Sequence, residues 1–159
     1  MKAAALCPLR EKSGKLEIFL TRRSLWNHRR NKPMIFPGEW VFAGGKPECS
    51  DEHLEDTAVR EFREEVGYHG EIDNIRFLRS GRSTIYTVEF YIAQIEPEEF
   101  QLQKSEVTEA DWMTPTRWLD RIHSPQFNDH QLGQLRKYGI RNRQLPLQTI
   151  ATLEYLQSN

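Results

Sequence analysis

Apolar residues recur along this chain in short runs that turn residues separate, which is the pattern of β-strands. Residues 3–9 and 16–21 predict two strands joined by a turn at the sequence KSGK. Residues 39–45 predict a short strand that ends in two glycines. Residues 74–80 and 83–95 predict two further strands, and the second is rich in the β-branched and aromatic residues that favour a central position in a sheet.

Capping signals and periodicity predict helices between and after these strands. Residues 50–66 predict a loop followed by a helix, with Ser50 or Asp51 as its cap and Gly67 as its stop signal. Pro115 follows a short predicted strand and opens a further helix. The remaining predicted helices lie at 126–139 and 145–157. Strands interspersed with helices predict an α/β fold, in which helices pack on a mixed sheet.

Length and charge exclude several classes of protein. The chain has 159 residues, which suits a single domain spanning residues 1–159. Its formal net charge is −1, so we expect no nucleic-acid partner, which would require a basic excess. Apolar stretches of about 18 residues are absent, so we expect no membrane span. Cys7 and Cys49 have no pairing or metal-binding spacing, which predicts free thiols and a cytoplasmic location.

Three glutamates stand within five residues in the predicted helix that ends at Gly67. Because a helix advances about 100° per residue, Glu61, Glu64 and Glu65 fall within one arc of about 100°. The neighbouring arc is apolar and consists of Val59, Phe62 and Val66. Packing of that arc on the sheet would place the carboxylates at the edge of the buried face, with Arg60 paired to Glu64. One interpretation is a solvated acidic face; the other is a site for a hard cation, Mg²⁺ or Mn²⁺.

The same segment resembles the signature of the Nudix hydrolases. That signature consists of Gly, five residues, Glu, seven residues, Arg-Glu, an aliphatic or aromatic residue, any residue, Glu-Glu, any residue, Gly and an apolar residue. The sequence REFREEVGY at residues 60–68 fits every fixed position of the second half, and seven residues separate Glu52 from Arg60. The first half departs from the signature, because six residues separate Glu52 from Gly45, its expected first glycine.

Membership of this family, also called MutT-like, implies a Nudix-type α/β/α sandwich with a central mixed β-sheet and hydrolysis of a diphosphate linked to another moiety. It implies that Glu61, Glu64 and Glu65 hold Mg²⁺ or Mn²⁺, with the Gly44 carbonyl as a further ligand. Arg60 would orient these glutamates. The resemblance also implies a small-molecule nucleoside diphosphate derivative as substrate. Because members of this family often dimerise, a homodimer is one expected assembly.

The supporting role and the proton-accepting role each have two candidates. Glu52 would support the loop before the helix, unless the shifted spacing gives that role to the neighbouring Asp51. In this family the general base is a helix glutamate, here Glu64, or a glutamate from a later loop. The sequence SEVTEADW supplies Glu106 and Glu109. We select Glu106 as an added metal ligand or base, and the alternative is that both are surface acids.

An upstream pattern resembles one subgroup of the family, the coenzyme A diphosphatases. Their pattern is Leu-Leu-Thr, any residue, Arg, Ser or Ala, and later Gly, three residues, Phe-Pro-Gly-Gly. FLTRRS at 19–24 and GEWVFAGG at 38–45 follow most of it, and the lengthened loop before Arg60 is also similar. Ala43 in place of proline and Met34 in place of the expected arginine depart from the pattern.

The basic segment between these two stretches carries the candidates for substrate binding. Arg23 stands at the subgroup's arginine position, Arg22 precedes it, and Trp26 can stack on a base; alternatively, the segment is a solvated basic loop. Two substrate classes follow: coenzyme A or an acyl-coenzyme A, and ADP-ribose, nucleotide sugars or other nucleotide derivatives. A non-catalytic nucleotide-sensing domain is the alternative from another class, and the complete glutamate set argues against it.

Overall fold

The computed structural model describes residues 1–84, 86–96 and 100–158. The strands are β1 (Lys2–Lys12), β2 (Lys15–Arg23), β3 (Trp26–Asn27), β4 (Lys32–Pro33), β5 (Trp40–Val41), β6 (Gly44–Gly45), β7 (Ile72–Ser83), β8 (Tyr86–Ile95) and β9 (Val107–Met113). The helices are α1 (Leu54–Val66), α2 (Pro115–Asp120), α3 (Asp129–Leu135) and α4 (Leu147–Ser158), with short 3₁₀ turns at Arg121–His123 and Arg136–Tyr138. Within the described ranges, every helix is too short or too polar to span a bilayer.

Seven of the described strands form one mixed sheet in which β1 lies near the middle. The order along the sheet is β5-β2-β1-β8-β7, while β6 pairs with β1 and β9 pairs with β2. β1 runs parallel to β8, from the pair of Lys2 and Thr87 to the pair of Leu9 and Gln94. It runs antiparallel to β2, and β7 runs antiparallel to β8 at the edge of the sheet. The expectation of a central mixed β-sheet is confirmed.

Helices cover both faces of this sheet because its central strand is apolar on both sides. In β1, Ala4 and Leu6 pack in the layer of α1, whereas Ala5 and Cys7 pack in the layer of α2 and α4. This alternation with a period of two is what a strand buried on both faces requires. The helices contribute Phe62 and Val66 from α1, and Trp118 and Leu153 from α2 and α4. The chain is therefore an α/β/α sandwich, as the resemblance implies.

The predicted strand at residues 39–45 is divided in two. β5 pairs with β2 and β6 pairs with β1, so the chain passes from one strand to the other between Val41 and Gly44. Gly44 lies so close to β1 that a Cβ there would come within 2.3 Å of the Ala4 carbonyl oxygen. Two backbones approach closely at this point, and glycine permits that approach. The alternation of apolar residues does not reveal this constraint.

The helix α1 begins later than predicted and with a different cap. The expectation that Ser50 or Asp51 caps this helix is wrong, because the N-cap residue is His53, whose backbone N–H donates to Asp56 Oδ2 at 2.9 Å. The end is as predicted, since Gly67 follows Val66 and adopts a left-handed φ of 65°. The loop before the helix is therefore longer than predicted, and its acidic side chains are available for other contacts.

The basic segment that follows β2 is folded against the C-terminal part of the chain. It contains the two-stranded hairpin β3–β4. The ring of Trp26 in β3 contacts the ring of Tyr138 edge-to-face, with 4.9 Å between the centroids. Tyr138 belongs to the α3 region, which has a small core of its own formed by Phe127, Leu132 and Ile140. The segment is therefore an ordered hairpin with a partner and not an irregular loop, although its residues 28–32 are exposed.

The contact of α1 with the sheet gives the first prediction. Phe62 is fully buried, and its ring lies 5.8 Å from that of Phe19 and 5.6 Å from that of Tyr68. We expect Phe62→Ala to lower the free energy of unfolding by about 3–5 kcal/mol, measured by urea denaturation. Phe77→Ala is the matched control, because Phe77 is 55% exposed, and it should cost less than about 1 kcal/mol. Equal losses in the two variants would contradict this packing.

Candidate functional site

The helix α1 presents its three glutamates at three different depths. The side chain of Glu65 is 1% exposed, that of Glu61 is 19% exposed and that of Glu64 is 53% exposed. The buried face of α1 contains Ala58, whereas Val59 is only partly buried. The apolar arc predicted from periodicity is therefore displaced, and Glu65 lies inside the protein instead of at the edge of the buried face.

Glu65 is a buried carboxylate with incomplete compensation. Its Oε1 lies 3.4 Å from Nη1 of Arg23, whereas its Oε2 has no hydrogen-bond partner among the described residues. Burial raises the pKa of Glu65 to about 8; the charge of Arg23 lowers it, and the carboxylates of Glu61 and Glu106 raise it. A buried anionic oxygen without a partner is costly unless a cation approaches it.

Arg60 is the centre of the ion-pair network around these glutamates. Its Nη1 lies 3.1 Å from Glu61 Oε1 and 3.3 Å from Glu64 Oε2. Its Nη2 donates to Asp51 Oδ2 at 2.9 Å and to the Lys46 carbonyl oxygen at 3.0 Å. The planar guanidinium can serve several acceptors at fixed angles. It therefore orients two carboxylates of α1 and ties them to the loop that precedes the helix.

Of the two acids that the sequence leaves open for the supporting role, Asp51 contacts Arg60. Its carboxylate also accepts hydrogen bonds from the Thr57 hydroxyl at 3.0 Å and from the Glu48 N–H at 2.9 Å. The hydrogen bonds from Arg60 contribute most to a pKa of Asp51 well below its usual range. The side chain of Glu52 is exposed to solvent. The extra residue in the loop thus places Asp51, and not Glu52, against the arginine.

The double glycine lies directly beside the carboxylates. A Cβ on Gly45 would come within 2.5 Å of Glu61 Oε1. The neighbouring Gly44 pairs with Ala5 of β1, so the sheet fixes its position. A hydrogen bond from the Gly44 backbone lowers the pKa of Glu65. Backbone and carboxylates can lie this close only because neither position carries a side chain.

The later loop brings one of its two glutamates to the cluster. Glu106 is near enough to raise the pKa of both Glu61 and Glu65, although burial is the main cause of both shifts. Glu109 instead forms an ion pair with Arg22, with 2.9 Å between Oε2 and Nη1. The geometry therefore separates the two candidates: Glu106 faces the cluster, and Glu109 is engaged elsewhere.

Of the three candidates for substrate binding, Arg23 faces the cluster. Its Nη1 contacts Glu65. Arg22 is held by its ion pair with Glu109 and by a bond from its Nε to the Gly38 carbonyl oxygen at 3.0 Å. Trp26 packs on the α3 region, as described above. The structure thus brings one of the three candidates to the glutamates and leaves the other two outside.

A cavity of about 260 Å³ opens beside the double glycine. Its walls are mainly apolar and include Ala3, Ala5, Phe42, Val88 and Phe90. Arg23 and Lys46 also line it, and Nζ of Lys46 lies 5.2 Å from the ring centroid of Tyr86, which is another lining residue. The cavity can accept an uncharged flat group whose phosphates face the two cations. Lys46 could have been predicted as a cavity residue from the sequence, because it directly follows the double glycine. No sequence pattern indicates that Tyr86 lines the cavity.

Within the described residues, no three His, Cys, Asp or Glu side chains converge as ligands of one metal ion. The ion pairs explain this arrangement, because Arg60 holds Glu61 and Glu64 while Arg23 holds Glu65. The donor set nevertheless fits a hard divalent cation, since it consists of carboxylate oxygens and includes the unpartnered Glu65 Oε2. The carboxyl groups around the two guanidinium groups also outnumber them, and they are those of Asp51, Glu61, Glu64, Glu65 and Glu106.

The contacts of Asp51 give a prediction that separates it from its neighbour. Asp51→Asn removes the charge that anchors Arg60 and weakens the acceptor of the Glu48 N–H, so the loop before α1 should open more often. We expect amide hydrogen exchange at Glu48 to accelerate by at least about tenfold. Glu52→Gln is the matched control and should leave that rate unchanged. Faster exchange in Glu52→Gln, or none in Asp51→Asn, would contradict the assignment.

The burial of Glu65 gives a prediction for the metal-free protein. Folding raises the pKa of Glu65 from 4.5 to about 8, so between these values the folded state binds more protons than the unfolded state. The contribution of this group to stability is therefore full below the unfolded pKa and falls as the pH rises toward 8. In EDTA, the melting temperature of the wild type should fall relative to that of Glu65→Gln between about pH 5 and about pH 8.

The control for this measurement is Glu154→Gln, which changes an exposed glutamate of α4. Its melting temperature should follow that of the wild type across the whole pH range, because an exposed carboxylate has nearly the same surroundings in the folded and unfolded states. Parallel curves for the wild type and Glu65→Gln would mean that Glu65 is ionised in the folded protein at no cost.

Comparison with known proteins gives the family. A family model described as "NUDIX domain" matches residues 1–131, which is more than half of the chain. Among curated protein sequences, none matches this chain. Solved structures match it over nearly its whole length. A Nudix hydrolase from Alicyclobacillus acidocaldarius is 19% identical with a TM-score of 0.68, and the alignment covers 99% of this chain and 91% of that one.

Two other solved structures share the fold with this chain. The NUDIX domain of Shewanella oneidensis NrtR, complexed with ADP ribose, is 16% identical with a TM-score of 0.64, covering 99% of this chain and 86% of that one. An Ap4A hydrolase from C. elegans is 18% identical with a TM-score of 0.59, covering 99% and 95%. The likeness to these structures concerns the fold, and the family model supplies the membership. The chain therefore belongs to the Nudix family and is a pyrophosphohydrolase.

Proposed function

We propose that this pyrophosphohydrolase cleaves the diphosphate bond of a nucleoside diphosphate linked to another moiety, and that it requires a divalent cation, Mg²⁺ or Mn²⁺. The observation that carries the proposal is the environment of Glu65. Its carboxylate is buried with one unpartnered oxygen, among further carboxylates and beside the double glycine that lines an apolar cavity. A purely structural residue would gain nothing from a buried carboxyl group whose ionisation is opposed by burial and whose second oxygen has no partner among the described residues.

The ligands of the cation would be Glu61, Glu64 and Glu65, with the Gly44 carbonyl oxygen as a further donor. When bound, the cation would neutralise charge on the phosphoryl oxygens and activate water for attack on phosphorus. Because Arg60 is anchored on Asp51 and on the Lys46 carbonyl, it can share its glutamates with a cation and keep its own position. The arginine thus keeps the carboxylates oriented in both states.

The remaining roles belong to side chains around the cavity. Arg23 and Lys46 line it and supply the positive charge that a diphosphate needs. Glu64 and Glu106 are the two carboxylates that can accept the proton of the attacking water. Glu64 has the better access to solvent water, since 53% of its side chain is exposed, whereas Glu106 is partly buried.

Two substrate classes are supported by different observations. Coenzyme A or an acyl-coenzyme A is supported by Arg23, because the arginine of the upstream pattern contacts Glu65 and lines the cavity. ADP-ribose, a nucleotide sugar or another nucleotide derivative is supported by Met34 and Ala43, which depart from that pattern. Fold neighbours support the second class as well, since one contains ADP ribose and another is an Ap4A hydrolase.

We also propose a cytoplasmic location. Cys7 and Cys49 are both free, as the sequence predicts for a reducing compartment. Cys7 is buried in the core, and Cys49 is exposed in the loop before α1. The homodimer that the resemblance implies stays a prediction.

A product assay tests the proposed function. The purified chain is incubated with coenzyme A, ADP-ribose, nucleotide sugars and dinucleoside polyphosphates, each with Mg²⁺, with Mn²⁺ and with EDTA. We expect hydrolysis with a divalent cation and none with EDTA. Release of 4′-phosphopantetheine and 3′,5′-ADP as the dominant reaction would select the coenzyme A class, and AMP from ADP-ribose would select the other. No cation-dependent product from any substrate would contradict the proposal and favour a sensing domain.

Site variants tie that activity to the cluster. Glu64→Gln should lower kcat by at least about 100-fold, because it removes a proposed ligand of the cation and a candidate base. Glu154→Gln, on the exposed face of α4, is the matched control and should keep full activity. Circular dichroism would show that both variants fold. Normal turnover by Glu64→Gln would mean that this cluster is not the catalytic site.

A further inference from the structure

Positive charge is segregated along this chain in a way that its net charge conceals. Residues 22–34 and 130–144 contain nine Arg and Lys residues and no Asp or Glu. The chain has 22 basic and 23 acidic residues in all, so the rest of it carries 13 basic residues against all 23 acidic ones. The two acid-free segments are separated by about 95 residues of sequence, and they can act together only if the fold joins them.

The fold does join the two segments. The edge-to-face contact of Trp26 with Tyr138 connects the hairpin β3–β4 to the 3₁₀ turn after α3. Nε of Arg143 forms a 2.5 Å ion pair with Glu39, which lies just beyond the hairpin. The backbone N–H of Trp40 donates to the Gln144 carbonyl oxygen at 2.8 Å. Side chains from the two segments therefore belong to one continuous surface.

Most of the cations on that surface have no counter-ion. Three of the nine are paired: Arg22 with Glu109, Arg23 with Glu65, and Arg143 with Glu39. The other six are exposed, and within the described residues none of them forms an ion pair. We call these six residues the basic surface: Arg29, Arg30, Lys32, Arg136, Lys137 and Arg141.

A surface of one sign attracts an extended polyanion. Four of the six cations are arginines, whose planar guanidinium groups match phosphate oxygens with two parallel hydrogen bonds. The aromatic rings of Trp26 and Tyr138 meet where the two segments are in contact, and the side chain of Tyr138 is 44% exposed. Aromatic rings beside cations bind single-stranded nucleic acids, because every base can stack on a ring while the backbone follows the positive charge.

We propose that the basic surface binds a single-stranded nucleic acid. The expectation of no nucleic-acid partner rests on a net charge of −1, which treats the charge as evenly spread. Once the charge is resolved in space, that expectation no longer applies to this face of the molecule. The proposal goes beyond the proposed hydrolysis and does not depend on it, because none of the six cations belongs to the glutamate cluster.

The location of the basic surface gives this binding a consequence for the cavity. The chain continues from the hairpin through Ile35 and Phe36, and both of these residues line the cavity beside the double glycine. Nε of Arg23, at the other end of the same segment, donates to the Ile35 carbonyl oxygen at 3.2 Å. A bound strand would therefore lie beside the entrance to the candidate active site.

Fluorescence anisotropy with the full chain and a labelled single-stranded RNA of about 20 nucleotides tests the proposal. Binding should weaken steeply between about 50 and about 200 mM salt, with a slope of log K against log salt near −4 if all six cations meet phosphates. The variant Arg29→Gln with Arg136→Gln removes one cation from each segment. We expect it to weaken binding about tenfold at low salt and to bring the slope to about −3.

The matched control is a double variant that also removes two positive charges, but from a different part of the protein surface. Arg76→Gln with Arg117→Gln removes two exposed arginines outside the basic surface and should leave the affinity and the slope unchanged. Melting curves establish that both double variants fold. An equal loss of affinity in the two double variants would show that net charge alone governs binding, and it would overturn the proposal. The absence of saturable binding to the RNA would overturn it as well.

Two competitors separate the proposed partner from other polyanions. Inorganic polyphosphate of the same charge has no bases, so it should displace the RNA less effectively than unlabelled RNA does. Vesicles of phosphatidylserine and phosphatidylcholine should bind the chain more weakly than the RNA. Equal competition by polyphosphate would mean that the surface responds to charge alone. Tighter binding to the vesicles would make a membrane surface the partner, and either result would overturn the assignment.

Discussion

The candidate site depends on the ion pair and hydrogen bond that Arg60 forms with the loop before α1. Without a cation between them, Glu61 and Glu64 would repel one another and spread over many rotamers. Arg60 sits on the same helix, so helical periodicity places its guanidinium against both carboxylates. Its second contact, with Asp51 and the Lys46 carbonyl oxygen, fixes the loop that leaves the double glycine. One side chain thereby connects the loop after strand β6 to the carboxylates of the helix.

The sandwich architecture explains why Glu65 is buried. The layer between α1 and the sheet is continuous from Ala58 through Phe62 to Val66, and Glu65 is carried inward with this face. The packing of the apolar residues stabilises the helix, and that gain offsets the cost of one poorly compensated carboxylate. A buried acid held in this way is a feature of functional sites, where a group is kept ready for a ligand at some expense of stability.

Sequence patterns predict the elements of this fold better than the contacts between them. The strands, the end of α1 at Gly67 and the mixed sheet follow from periodicity and turn chemistry. The burial of Glu65 does not, because a difference of one position in the buried arc, from Val59 to Ala58, depends on how the helix meets the sheet. Likewise, spacing alone leaves Asp51 and Glu52 equivalent, and the path of the loop around Arg60 decides between them.

The distribution of charge is a second property that the sequence alone does not predict. The net charge of −1 averages over the whole chain and conceals both the acidic cluster and the basic surface. Charges on the protein surface are screened beyond about 10 Å at 0.1 M salt, so a ligand responds to the charges near it and not to the net charge of the chain. The glutamates can attract a cation while the arginines attract phosphates. A count of charges by segment reveals the acid-free stretches, but only the contact of Trp26 with Tyr138 shows that they form one surface.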